Sequence, residues 1–143
     1  SFLLRPCFFS APFLVPHRDE YSETVGYRID GPNHSAVFIP DIVKWDRWST
    51  SIVDVVRDVD YALLDATFYA DGELPNRAMS EVPHPFVEES MALFESLPDD
   101  QKFKVIFIHM NHTNPMLNPD SDASRTVEAA GFRIAREGMR LHL

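Results

Sequence analysis

Apolar residues in this chain come in short runs, and several of the runs end on a polar residue of the kind that binds metals or moves protons. Val105-Ile-Phe-Ile108 ends at His109, Val37-Phe-Ile-Pro40 at Asp41, Phe13-Leu-Val-Pro16 at His17, and Tyr61-Ala-Leu-Leu64 at Asp65. Four consecutive apolar residues are too few for a helix, so Val105–Ile108 reads as a strand buried on both faces. Residues 5–15, interrupted by Pro6 and Pro12, predict an irregular or edge strand. Thr24–Asp30 alternates and is β-rich, and Ser35–Ile39 returns after the turn Gly31-Pro-Asn-His34, which predicts a hairpin.

Helical periods appear between these runs. Ser49 or Thr50 is placed to cap a helix reaching Asp58, with Ile52, Val55 and Val56 as its apolar stripe. Pro85 suits the first position of a helix that buries Val87, Met91 and Phe94 and stops at Pro98. Ser121 or Asp122 caps a third helix to Ala130, with Gly131 as its stop. Phe132–Ala135 and Met139–Leu143 predict a closing hairpin. Residues 66–83 form a loop long enough to read as an active-site rim, with Met79 a packing residue. Strands alternating with helices in the second half place the chain in the α/β class.

Composition narrows the picture in three ways. The 143 residues are one domain's worth of chain or one half of a larger one, and 45% apolar content builds a real core. The net charge of −9, with no dense Lys/Arg cluster, argues against nucleic acid as an obligate partner. No run approaches a membrane span, and the single Cys7 fits a reducing compartment, so a cytoplasmic location is expected. The start at Ser1, with neither an initiator Met nor a basic leader, reads as the middle of a longer gene product.

The strand-end residues carry the candidate chemistry. In open α/β sheets, ligands sit outside the carboxyl ends of the strands. Two imidazoles and a carboxylate there, His17, Asp41 and His109, form a donor set suited to zinc, manganese or iron. The same residues also read as a surface-loop His, a turn-capping Asp and a hydrogen-bonded structural His. Asp65 could orient a His or simply form a turn. His84, held extended by Pro85 on the long loop, is placed for general acid or base work or for solvent exposure. His112 reads as a substrate contact or a structural hydrogen-bonder. His34 and His142 are expected to be uninvolved.

Val15-Pro-His-Arg-Asp-Glu-Tyr-Ser-Glu-Thr-Val-Gly-Tyr-Arg-Ile29, Ile39-Pro-Asp41, Leu63-Leu-Asp-Ala-Thr-Phe68, Glu81-Val-Pro-His-Pro-Phe-Val-Glu-Glu-Ser90 and Phe107-Ile-His-Met-Asn-His-Thr-Asn-Pro115 occur in that order. The set resembles the C-terminal half of a metallo-β-lactamase-fold protein. Within that superfamily it is similar to the branch of coenzyme PQQ synthesis protein B and its relatives, and more faintly to RNase Z. The resemblance implies half of an αββα sandwich, a mixed sheet with helices on one face, spanning residues 1–143. It implies metal ligands at His17, Asp41 (bridging two ions) and His109 and a proton-transfer pair at Asp65 and His84, while His112 has no general counterpart beyond that branch.

The family's H-x-H-x-D-H stretch is absent from these residues, and with it most of the ligands for two divalent metal ions, zinc or alternatively manganese or iron. Three functions follow as expectations. The first is a metal-dependent hydrolase acting on an ester, amide or phosphoester of a small molecule, inactive without its N-terminal half. The second is an iron-dependent oxidase or hydroxylase in PQQ-like cofactor synthesis. The third is a non-catalytic interaction fragment that pairs with its missing half or with a second copy, as a homodimer.

Overall fold

The computed structural model describes residues 7–18, 21–74, 78 and 81–143; Ser1, Pro6, Asp19, Glu20 and Met79, named above, lie outside these residues. Six strands form one mixed sheet in sequence order: β1 (Phe9–Val15), β2 (Thr24–Asp30), β3 (Ser35–Ile39), β4 (Tyr61–Asp65), β5 (Val105–Ile108) and β6 (Arg133–Ile134). β1, β2 and β3 pair antiparallel, and β3 to β6 pair parallel. The hairpin and the strands at 61–65 and 105–108 therefore form where the apolar pattern put them.

Each parallel step needs a crossover, and the crossovers supply α1 (Ile52–Arg57), α2 (Val87–Leu93), α3 (Asp99–Lys102) and α4 (Asp122–Ala129). Right-handed crossovers between consecutive neighbours all return on the same side of the sheet. The helices accordingly share one face. Val37, Ile39, Ala62, Leu64, Val105 and Phe107 from the sheet pack there with Ile52, Val56, Val87, Phe94, Val127 and Phe132. By strand register the opposite face carries Leu14, Tyr27, Phe38, Leu63 and Ile106. Ile106 is fully buried, whereas Leu14 is 57% exposed and Tyr27 38% exposed. That face is thus covered around β5 and open toward the β1 edge.

Three local readings are corrected. The cap of α1 is Ser51, whose side chain accepts the Asp54 N–H, and not Ser49 or Thr50. The helix expected from Pro85 to Leu97 stops after Leu93, and a separate short helix, α3, follows Pro98. The closing hairpin does not form. Arg133–Ile134 instead pairs parallel with β5, and the chain end folds back until Leu143 lies against Gly31. The physical reason is that β5 offers Ile134 a buried place beside Phe107, which an isolated two-stranded ribbon cannot match. Among the described residues no helix is long and apolar enough to cross a membrane.

Candidate functional site

The carboxyl ends of β1, β3, β4 and β5 bring His17, Asp41, Asp65 and His109 to one edge of the molecule, and the loop before α2 adds His84. Backbone bonds hold these ends in place. The Val43 N–H donates to the Pro16 carbonyl at 2.9 Å, which fastens the loop after Asp41 to the one carrying His17. The Ala66 N–H donates to the Ile108 carbonyl and the Asn111 N–H to the Thr67 carbonyl, so the exits of β4 and β5 run together.

Asp65 is the floor. It is fully buried and has four donors on its two oxygens. The Ile42 N–H (3.1 Å) and His84 Nδ1 (2.8 Å) approach Oδ2, and the Thr67 N–H (2.9 Å) and Thr67 Oγ1 (2.6 Å) approach Oδ1. A buried carboxylate met by this many donors is held rigid, with both oxygens engaged as acceptors. His84 is seated on it by a small satellite core of Phe68, Val82 and Phe86, with the Phe68 ring edge-on to the imidazole. Burial by itself would lower the pKa of His84. The hydrogen bond that His84 donates to Asp65 and the charges of Asp65 and Asp41 outweigh that, so it stands above the ordinary value, although Lys44 opposes the rise.

Lys44 anchors the other end of the same loop. Its Nζ lies over the Phe86 ring and bonds Glu89 Oε2 at 2.6 Å. Glu89 Oε2 also accepts the Phe86 N–H, tying the start of α2 back on itself.

Asp41 is the opposite case. Its Oδ1 is buried and, among the described residues, finds no hydrogen-bond partner. Yet His17 Nε2 stands 3.2 Å from it and His84 Nδ1 3.4 Å, neither aligned as a donor. His17, Asp41 and His84 each bring one ligand-type atom within 4.8 Å of the others. An orphaned carboxylate oxygen beside an imidazole nitrogen is the donor chemistry of a divalent cation site, so these residues fit a metal. His84 Nδ1 is already engaged by Asp65, which leaves His17 and Asp41 as the pair with ligand atoms to spare.

His109 stands one hydrogen bond away from this group. Its Nδ1 lies 3.1 Å from Thr67 Oγ1 and 4.0 Å from Asp65 Oδ1, and its side chain is 48% exposed. Among the described residues it is the one non-glycine with positive φ, at 61°, a backbone strain of the sort found at functional sites. His112 is exposed on the turn that follows. Thr67 and the buried Asn114, whose Nδ2 donates to the Ala66 carbonyl at 2.7 Å, belong to the framework and were not singled out in sequence. The available signal for Thr67 was its place two residues after Asp65, where a hydroxyl folds back onto a carboxylate.

Three comparisons bear on this geometry. The "Beta-lactamase superfamily domain" family matches residues 8–110. Coenzyme PQQ synthesis protein B of Methylobacterium nodulans is 30% identical over 132 residues, covering 87% of this chain and 42% of the relative. The protein of the same name from Gluconobacter oxydans is 29% identical over 126 residues, covering 85% and 40%. The crystal structure of Zn(2+)-bound PqqB from Methylobacterium extorquens superposes with a TM-score of 0.72 at 24% identity, covering 95% of this chain and 47% of that one. The structural match shows the shared fold. The chain spans less than half the length of each of these relatives.

Proposed function

Because the chain belongs to the beta-lactamase superfamily, we propose that it forms part of a metal-dependent enzyme of that fold, with His17, Asp41 and His109 as metal ligands and His84 on Asp65 as the proton carrier. The observation that carries this reading is the unpartnered, buried Asp41 Oδ1 with His17 Nε2 beside it. A bound divalent ion, zinc or alternatively manganese or iron, supplies Lewis-acid polarisation and a water of lowered pKa.

The chain's own residues do the rest. Asp65 orients the His84 ring through Nδ1, so His84 Nε2 is the atom that takes or delivers a proton, and a hydrolysis would use it on the leaving group. Asp41 places negative charge opposite, which favours the protonated imidazole. His112, exposed beside His109, is positioned as a small-molecule contact. The open part of the helix-free face, with Leu14 and Tyr27 exposed, takes an N-terminal companion half that carries the remaining ligands, or a second copy.

The names of the curated relatives favour a second reading of the chemistry, a step in coenzyme PQQ synthesis. His and carboxylate donors suit iron as well as zinc, so this step would be an oxidation using oxygen.

The test is metal analysis and titration with zinc, manganese and iron(II). The chain alone should bind zinc weakly and hydrolyse nothing, and adding the companion half should raise the metal content to two ions. An Asp41→Asn chain that binds zinc as well as the parent would overturn the assignment. Oxygen uptake by the iron-loaded full-length protein, without hydrolysis, would select the second reading.

A further inference from the structure

Thr67 meets three residues of this site through a single oxygen. Its Oγ1 lies 2.6 Å from Asp65 Oδ1, 3.1 Å from His109 Nδ1 and 3.3 Å from His84 Nδ1. Its N–H donates to Asp65 Oδ1, and its carbonyl accepts the Asn111 N–H at 3.0 Å and Asn114 Nδ2 at 3.4 Å. The residue is 9% exposed. We propose that Thr67 is a positioning residue that fixes the tautomer of His109 and supports that of His84, so that both rings carry their proton on Nδ1 and present Nε2 as the lone pair.

The argument is a count of protons. Two oxygens 2.6 Å apart, one of them a carboxylate, have a proton between them. Asp65 is surrounded by donors and acts as acceptor only, so that proton belongs to the Thr67 hydroxyl. A hydroxyl has one proton, and here it is committed. Toward the two imidazoles Thr67 Oγ1 therefore offers lone pairs alone.

His109 Nδ1 must then be the donor at 3.1 Å, which leaves Nε2 as its free nitrogen. For His84 the same protonation follows from Asp65 Oδ2 at 2.8 Å, with Thr67 as the weaker second acceptor. The backbone contacts act in the same direction. By accepting from Asn111 and Asn114, Thr67 holds the segment after β5 in the turn that keeps His109 at positive φ. A valine of nearly the same shape would fill the space and lose both functions of the oxygen.

The inference rests on the metal-centre reading only in saying what the free Nε2 of His109 is for. Its test therefore begins without metal. In the chain labelled with ¹⁵N-histidine and kept well above the imidazole titration range, the two rings, assigned with His84→Gln and His109→Gln, should show Nδ1–H and a bare Nε2. An Nε2–H tautomer at His109 in the parent chain overturns the proposal, whatever the variants do.

Thr67→Val should release His109 to a mixture of tautomers and weaken zinc binding about 10–100-fold, while Thr67→Ser restores both. Thr67→Val with an unchanged His109 signal and unchanged zinc affinity would also overturn it. Should Thr67→Val fail to fold, the parent spectrum and Thr67→Ser still decide. Nδ1–H rings in a chain that binds no zinc even with its companion half would sink the metal reading and leave the tautomer assignment standing.

Discussion

Asp65 and Asp41 are both carboxylates at the end of a strand, a few ångströms from the same His84, and they are in opposite physical states. Asp65 has no exposed surface and four donors. The Asp41 side chain is 34% exposed, yet its buried oxygen has no aligned donor among the described residues. The first carboxylate is satisfied by the protein and holds other groups still. The second is left short of a partner, next to an imidazole that does not donate to it. Where a fold could have satisfied a polar atom and does not, the vacancy in the hydrogen-bond ledger points to a ligand.

The largest effect should come from the satisfied side. Asp65→Ala leaves four donors facing a cavity and is expected to destabilise the fold by roughly 3–5 kcal/mol, read from the midpoint of urea unfolding. Asp41→Ala, by contrast, should cost less than about 1 kcal/mol without metal, since its buried oxygen accepts no aligned hydrogen bond and only its charge near His17 and His84 is lost. Equal losses at the two positions would erase the distinction.

Adding zinc should narrow the gap between the two positions. At a hundredfold excess over its dissociation constant, zinc should stabilise the parent chain by about 2.7 kcal/mol. The same addition to Asp41→Asn should produce no change, as a thermal-shift series would show.

The pH dependence comes next in size and concerns the group that both carboxylates act on. His84 titrates above its ordinary value when folded. Its contribution to stability is therefore fully present below the unfolded imidazole value of about 6.5 and is lost as pH rises through the folded pKa. Asp65→Asn removes the bonded charge while burial remains, so an NMR titration should find the His84 pKa lower than in the parent. An unchanged value would mean that Asp65 does not set the state of His84.

The smallest effect should belong to Lys44. Lys44→Met removes the partly exposed pair with Glu89 and is expected to cost about 0.2–1 kcal/mol. It also removes a positive charge that opposes protonation of His84, so the pKa of that imidazole should rise further. A fall would show that Lys44 acts through the position of the loop rather than through charge.

Much of this arrangement was legible before any coordinates. Strand runs closed by His17, Asp41, Asp65 and His109 put four ligand-type residues at strand ends; that all four leave the same edge depends on β1, β3, β4 and β5 running in one direction. The α/β class followed from strand–helix alternation, and helices on one face from the family resemblance. The short helix α3 was missed because Pro98 reads as a stop, although the same proline serves as its cap. The false hairpin at 132–143 arose because residues that suit a strand say nothing about which strand they will join.

What the linear order of residues determined was which chemistry would stand at which strand end. Apolar periodicity is local, and the polar residue that breaks each run is carried to the rim wherever the strand goes. What only the tertiary structure decided was the division of labour among those residues. Whether a carboxylate is satisfied or orphaned depends on donors far from it in sequence, such as Ile42 and His84 around Asp65. Thr67 became the hinge of the site for the same reason. One hydroxyl proton was claimed by Asp65, and the positions of two imidazoles, 17 and 42 residues away, determined what its lone pairs could do.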